Sequence, residues 1–167
     1  MFKKFSVFLS SSCLILACIF VPSNTDSNFI FPIKSKYYIT SKFGYRMLYG
    51  KKNLHTGLDI ASYANANVYS VSNGTVSYIG FDHDGYGNYI IITNNNYKFY
   101  YAHLGETHNV KINDYITKDT LLSTIGPKIL SNGKSNGNTT GAHLHFEIRI
   151  NNSYVDPLDY ITLPKYN

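Results

Sequence analysis

The sequence predicts an all-β fold, with an antiparallel β-sheet core and little helix. Short runs rich in Tyr, Ile, Val and Phe alternate with Asn-, Gly- and Ser-containing turn signals along most of the chain. No window of about twelve residues carries a 3.6-residue period with caps at its ends. A composition of 44% hydrophobic, 16% aromatic and 15% charged residues is too apolar for disorder and too lightly charged for a long solvated helix. Sixteen Tyr and ten Phe supply the core rings in a chain without Trp, and 167 residues make one domain the default.

The chain divides into a leader over residues 1–27, a linker over 28–38 and a domain over 39–163. In the leader Lys3 and Lys4 precede an uncharged apolar run from Phe5 to Val21, the pattern of a secretory signal. Cleavage after Ser23 is the favoured outcome. Lipidation at Cys18, in the box-like Ile15-Leu16-Ala17-Cys18, and retention as a membrane anchor are the alternatives. All three export the rest of the chain to the periplasm or cell envelope, because the lysines hold the N-terminus inside. Both cysteines, Cys13 and Cys18, lie in the leader, so the exported part has no disulfide and its chemistry must use other side chains.

After a polar lead-in over 24–36, the elements follow in order. Residues 67–80 hold two β-rich runs joined by Ser72-Asn73-Gly74, and Asn-Gly predicts a hairpin. Asp82 to Asn88 is a glycine-rich turn rather than a calcium loop, whose later acidic ligands are missing. Tyr89 to Thr93 suits a buried strand, and Asn94-Asn95-Asn96 turns the chain into a strand over 97–104. Short alternating pieces over 110–125 lead to a polar loop over 126–141, and the last strand spans 142–150.

Three segments concentrate the histidines. His55 and Asp59 are four residues apart, a spacing that restores the same face on a strand and nearly so on a helix. In a strand His143 and His145 share a face with Glu147 and Arg149, while Leu144, Phe146, Ile148 and Ile150 face the core. His103 ends the aromatic strand. Imidazoles with one carboxylate suit Zn²⁺, and three protein ligands leave a position for a water whose pKa falls to about 7. There are more convergent candidates than a zinc ion requires, and spacing alone does not choose between them. The surplus histidines are natural proton carriers. His108, without a ligand partner nearby, reads as a surface residue, and Glu147 as a structural acid. Tyr45 and Tyr101 are candidates to donate to a substrate carbonyl.

The stretch from Ile39 to Tyr160 resembles the lysostaphin-type (LytM-like) zinc metallopeptidases, which cut peptide cross-links in bacterial peptidoglycan. The matching segments run in order: 40–46 (TSKFGYR), 55–60 (HTGLDI), 73–76 (NGTV), 85–88 (GYGN), 101–104 (YAHL), 140–147 (TGAHLHFE) and 155–157 (VDP). The resemblance implies that His55, Asp59 and His145 bind zinc and that His103 and His143 act in catalysis beside the metal. It also implies a duplicated-hybrid-motif-like sheet with the site in an open groove, and peptidoglycan stem peptides as substrate. Two departures stand out. Asn113 and Asp119 replace glycines usual in relatives, although both tolerate turn conformations, and the 126–141 loop is longer than expected and is read as a groove wall.

The expected function is zinc-dependent endopeptidase. A regulator of the same fold that binds peptidoglycan or activates an amidase without catalysis is the alternative, and a D,D-carboxypeptidase is the competing enzyme. A nucleic-acid partner is not expected, given the export signal and the lack of a basic stripe in a chain of net charge +5. The oligomeric state is not encoded in any of these motifs.

Overall fold

The computed structural model describes residues 29–48 and 50–164. The leader readings, including Cys13 and Cys18, fall outside these residues. Among them are twelve strands, β1 (Tyr38–Ser41), β2 (Gly44–Leu48), β3 (Lys51–His55), β4 (Leu58–Ala61), β5 (Asn67–Tyr69), β6 (Gly74–Asp82), β7 (Gly87–Asn94), β8 (Tyr97–Ala102), β9 (Tyr115–Ile116), β10 (Leu121–Thr124), β11 (His143–Ile150) and β12 (Ser153–Val155). The one helical element among the described residues is a single 3-10 turn, Pro157–Asp159, started by a proline and capped by the Asp156 carboxylate, which accepts from the Leu158 N–H.

Eight strands form one antiparallel sheet in the order β1-β4-β11-β8-β7-β6-β9, with β12 paired to the far end of β11. The expected all-β antiparallel fold is therefore the one observed. Alternation places Leu58 and Ile60 of β4, Leu144, Phe146 and Ile148 of β11, Phe99 and Tyr101 of β8 and Ile90 and Ile92 of β7 in one fully buried layer. Leu104, Leu122, Ile125 and Val68, from the loop after β8 and the separate β5–β10 ladder, close that layer from the other side. β2 and β3 form a hairpin of their own.

Three expectations need correction. Asn73-Gly74 does not close a hairpin: β5 pairs with β10 and β6 with β7 and β9, so the segment is a crossing between sheets, and Asn73 instead accepts from the Lys118 N–H. Of the segment 28–38 expected to be a linker, the described residues 29–38 pack against the domain. Phe31 and Ile33 are buried, Ile33 bridges to Val68 and Phe29 to Ile161, and the Phe29 ring meets Phe99 edge-on at 4.7 Å. The lead-in is polar in composition but sends its few apolar residues into the core. Tyr101 is fully buried with its hydroxyl accepting from the Val71 N–H, so it faces away from any substrate.

Asn113 and Asp119 both adopt left-handed backbone, φ 74° and 71°, as glycines would in their place. The turn at 83–86 is tight, with the Asp82 carboxylate accepting from the Asp84 and Tyr86 N–H groups. Phe99→Ala should cost about 3–5 kcal/mol, because it empties a closed layer and removes the ring on which the lead-in packs. Urea unfolding of the protein checks this, and a cost below about 1 kcal/mol would contradict the packing described.

Candidate metal centre

β4 and β11 are paired so that Asp59 lies directly opposite His145, both on the face away from the core. His55 arrives from the end of β3, and Thr56-Gly57 turns the chain into β4. The four-residue spacing of His55 and Asp59 thus works through a turn between two strands, not along one element. Gly57 permits it: a Cβ there would lie 2.5 Å from the Phe146 carbonyl oxygen and 3.0 Å from the His145 ring.

The three ligand-type atoms converge. His55 Nε2 is 3.0 Å from Asp59 Oδ1 and 3.2 Å from His145 Nδ1, and the last two are 2.8 Å apart. A tetrahedral ion with bonds of about 2.0–2.1 Å sets its ligands about 3.3 Å apart, so a shift of a few tenths of an ångström admits zinc. The outer nitrogens are already committed. His55 Nδ1 donates to the Lys42 carbonyl (2.8 Å), which directs the Nε2 lone pair inward. His145 Nε2 donates to Glu147 Oε1 (3.1 Å), which orients the ring and makes it more basic. Among the described residues this is the one group of three such side chains fit to hold a metal.

Electrostatics point the same way. Burial alone would raise the Asp59 carboxyl, but the hydrogen bond from His145, the adjoining His55 ring and the charge on His145 hold it well below the usual carboxylate range. Burial works against a charged His145, yet its bonds to Asp59 and Glu147 raise it to about 9. The cluster attracts positive charge.

His103 and His143 stand beside this group, their rings 4.8 Å apart. His143 Nδ1 faces the Gly141 carbonyl at 3.0 Å and His103 Nδ1 the Asn136 carbonyl at 2.9 Å. A carbonyl can only accept, so Nδ1 carries the proton in both and Nε2 is left with a lone pair. His143 Nε2 is 3.7 Å from Asp59 Oδ1. Burial and the neighbouring His143 and His145 push His103 down to about 4, and burial likewise lowers His143, so both rings are neutral near pH 7. His103 also has left-handed backbone, φ 57°, held by its N–H to the Tyr86 carbonyl and its carbonyl to the Gly126 N–H. A cavity of about 250 Å³ opens over all five side chains and is also bordered by Arg46, Thr56, Tyr86 and Asn138.

A sequence profile described as Peptidase family M23 matches residues 53–157. The chain belongs to this family. The lysostaphin-type resemblance is thereby borne out. It is 33% identical over 129 residues to the DD-carboxypeptidase/endopeptidase Mpg of Neisseria meningitidis serogroup B, covering 75% of this chain and 27% of that protein. It is 35% identical over 106 residues to the murein hydrolase activator NlpD of Salmonella dublin, covering 63% and 26%. Among solved structures, a zinc containing peptidase from Vibrio cholerae superposes with a TM-score of 0.64 at 31% identity, covering 77% of this chain and 39% of that one. The chain thus spans about a quarter of the length of these curated M23 relatives.

The M23 site has supports in Thr56, Tyr86 and Asn136 that the sequence did not single out, gathered around the expected structural acid Glu147. Glu147 is fully buried and accepts from Thr56 Oγ1 (2.5 Å), the Tyr86 hydroxyl (2.9 Å) and Arg149 as well as His145. Its backbone is two strand positions from His145, but its carboxylate folds back onto the ring, which fits a structural acid rather than a base. Arg149 lies between the rings of Tyr100 (3.8 Å) and Tyr154 (4.4 Å). The 126–141 loop contributes Asn138 to the groove wall and the buried Asn136, whose side chain also binds the carbonyls of Leu104 and Pro127. The one sequence signal for Asn136 was its place in a long polar loop, which marks no particular residue. Two further readings change. Tyr86, not Tyr101, brings a tyrosine to the cavity, and His108 is half-buried against Ser123 Oγ (3.3 Å), where burial lowers its pKa.

Proposed function

We propose that the protein is an exported, zinc-dependent endopeptidase that hydrolyses peptide cross-links of bacterial peptidoglycan. The observation that carries this is the inward convergence of His55 Nε2, Asp59 Oδ1 and His145 Nδ1, with the outer nitrogens of both histidines already engaged. A zinc ion held there would polarise the scissile carbonyl and lower the pKa of a bound water. Asp59 supplies the anionic ligand. Glu147 keeps His145 in the tautomer that leaves Nδ1 free for the ion.

His103 and His143 border the same cavity with neutral Nε2 atoms. The ring that accepts a proton from the attacking water holds it at Nε2, from where it donates to the leaving amine. The other ring faces the oxygen on which charge develops. The membership in M23, the similarity to Mpg and the fold shared with a zinc containing peptidase support this reading.

The similarity to NlpD favours a second reading, a non-catalytic activator of wall hydrolases. Digestion of purified peptidoglycan by residues 28–167, with and without a chelator, separates the two. Loss of cross-linked muropeptides that a chelator abolishes is the expected result. Release of free terminal D-alanine with cross-links intact identifies a carboxypeptidase instead, and an unchanged profile from zinc-loaded protein favours the activator.

A further inference from the structure

The sheet face that carries the metal-site side chains continues past them to the sheet edge. Tyr38 of β1, Ala61 of β4 and His143 of β11 are direct partners in register, one row along from Asp59 and His145. Directly opposed residues of antiparallel strands point to the same face. The row between them, Ile39, Ile60 and Leu144, points to the core. With strands about 4.8 Å apart, Tyr38 stands about 10 Å from His143, and only the small Ala61 lies between. A trough of about 370 Å³ results, lined by Lys36, Tyr38, Ala61, Ser62 and Tyr63. Tyr38 and Tyr63 are 61% and 64% exposed, and the Lys36 ammonium is 5.6 Å from the Tyr38 ring centre. Among the described residues no carboxylate lines it.

We infer that this trough is a saccharide subsite, which takes the amino-sugar ring that bears the stem peptide being cut. The inference rests on the peptidoglycan reading above. A pyranose has an apolar face and a rim of hydroxyls. The trough answers the first with two exposed phenol rings above an alanine floor, and the second with the phenol hydroxyls and an ammonium. Ser62 fixes the shape of the floor, because its hydroxyl donates to the Lys36 carbonyl (2.8 Å) and pairs with Ser35 Oγ. The reach also fits. An extended peptide advances about 3.3–3.6 Å per residue, so three residues running outward from a bond beside His143 arrive at Tyr38, where the sugar follows. Ala61, which lines the trough, is the direct strand partner of His143, which borders the catalytic cavity, so the two lie side by side within reach of one substrate.

The test is calorimetric binding of a disaccharide–tripeptide fragment of peptidoglycan, and of the same tripeptide without sugar, to the zinc-loaded protein. Wild type should bind the sugar-bearing ligand about tenfold more tightly. Tyr38→Ala should erase that advantage and leave tripeptide binding unchanged, while Tyr38→Phe, which keeps the ring, should retain most of it. Equal affinity for the two ligands in wild type overturns the subsite. So does equal weakening of both in Tyr38→Ala, which would mean that peptide pairs with the β1 edge instead. Hydrolysis of cross-linked peptidoglycan is measured separately on the same preparations. Its absence alongside an intact sugar preference refutes the hydrolase and keeps the subsite, so the two failures are distinguishable.

Discussion

Asp59→Ala should give a folded protein that no longer retains zinc and whose release of muropeptides falls by at least about a thousandfold. Asp59 offers the one carboxylate oxygen that lies within 3.0 Å of both His55 Nε2 and His145 Nδ1. Without it two neutral imidazoles remain, a pair that binds zinc weakly and leaves its charge uncompensated. Asp59→Asn separates shape from charge: it keeps the side-chain outline and should still lose most of the metal. Zinc content after dialysis and muropeptide chromatography are the measurements, with circular dichroism to confirm the fold. One tightly held zinc per chain in Asp59→Ala would rule out the ligand set proposed here.

His103→Ala and His143→Ala should behave in the opposite way toward metal. Neither side chain belongs to the converging group, so each variant should retain zinc while turnover falls by about 10²–10⁴-fold, the usual worth of a positioned proton carrier or charge stabiliser. The double variant should be little worse than the poorer single one if the two rings serve the same step. Full activity in either single variant would remove that histidine from the mechanism. Loss of zinc from either would move it into the ligand set. For His103 a control is needed, since its backbone is held in a left-handed turn: His103→Asn keeps a residue at ease with that conformation and should match the alanine variant in activity.

The parts of this molecule that were legible in the sequence are those written in local alternation. The run from His143 to Ile150 announced both its core face and its site face, because neighbours two apart on a strand share an environment. The turn at Asp82–Gly85 and the bends at Asn113 and Asp119 were legible because short polar side chains tolerate unusual backbone. What stayed hidden depends on pairings between distant segments. Asn73-Gly74 has hairpin chemistry, but β6 finds β7 and β9 as partners, and no local feature competes with that. The lead-in has a polar average, yet Phe29, Phe31 and Ile33 pack it against the core. Within the site, spacing offered too many histidines and could not choose among them. What sets three side chains apart is convergence, since His55, Asp59 and His145 bring ligand-type atoms together, whereas fixed acceptors at Lys42, Glu147, Asn136 and Gly141 orient all four rings. Three of these four acceptors are backbone carbonyls, to which composition and motif are blind.

Asp59 and His145 face each other across one strand pair although 86 residues separate them along the chain. A cation gripping both is a removable staple across that whole loop, and closing such a loop is among the costs that folding must meet. The stability of the folded molecule would then follow the supply of the ion. At free metal about a thousandfold above its dissociation constant the folded state gains about 4 kcal/mol, and in a metal-poor environment it gains nothing. Scarcity would therefore do more than silence the site: a chain without the ion would hold the β4–β11 pairing, and the groove built on it, with that much less stability.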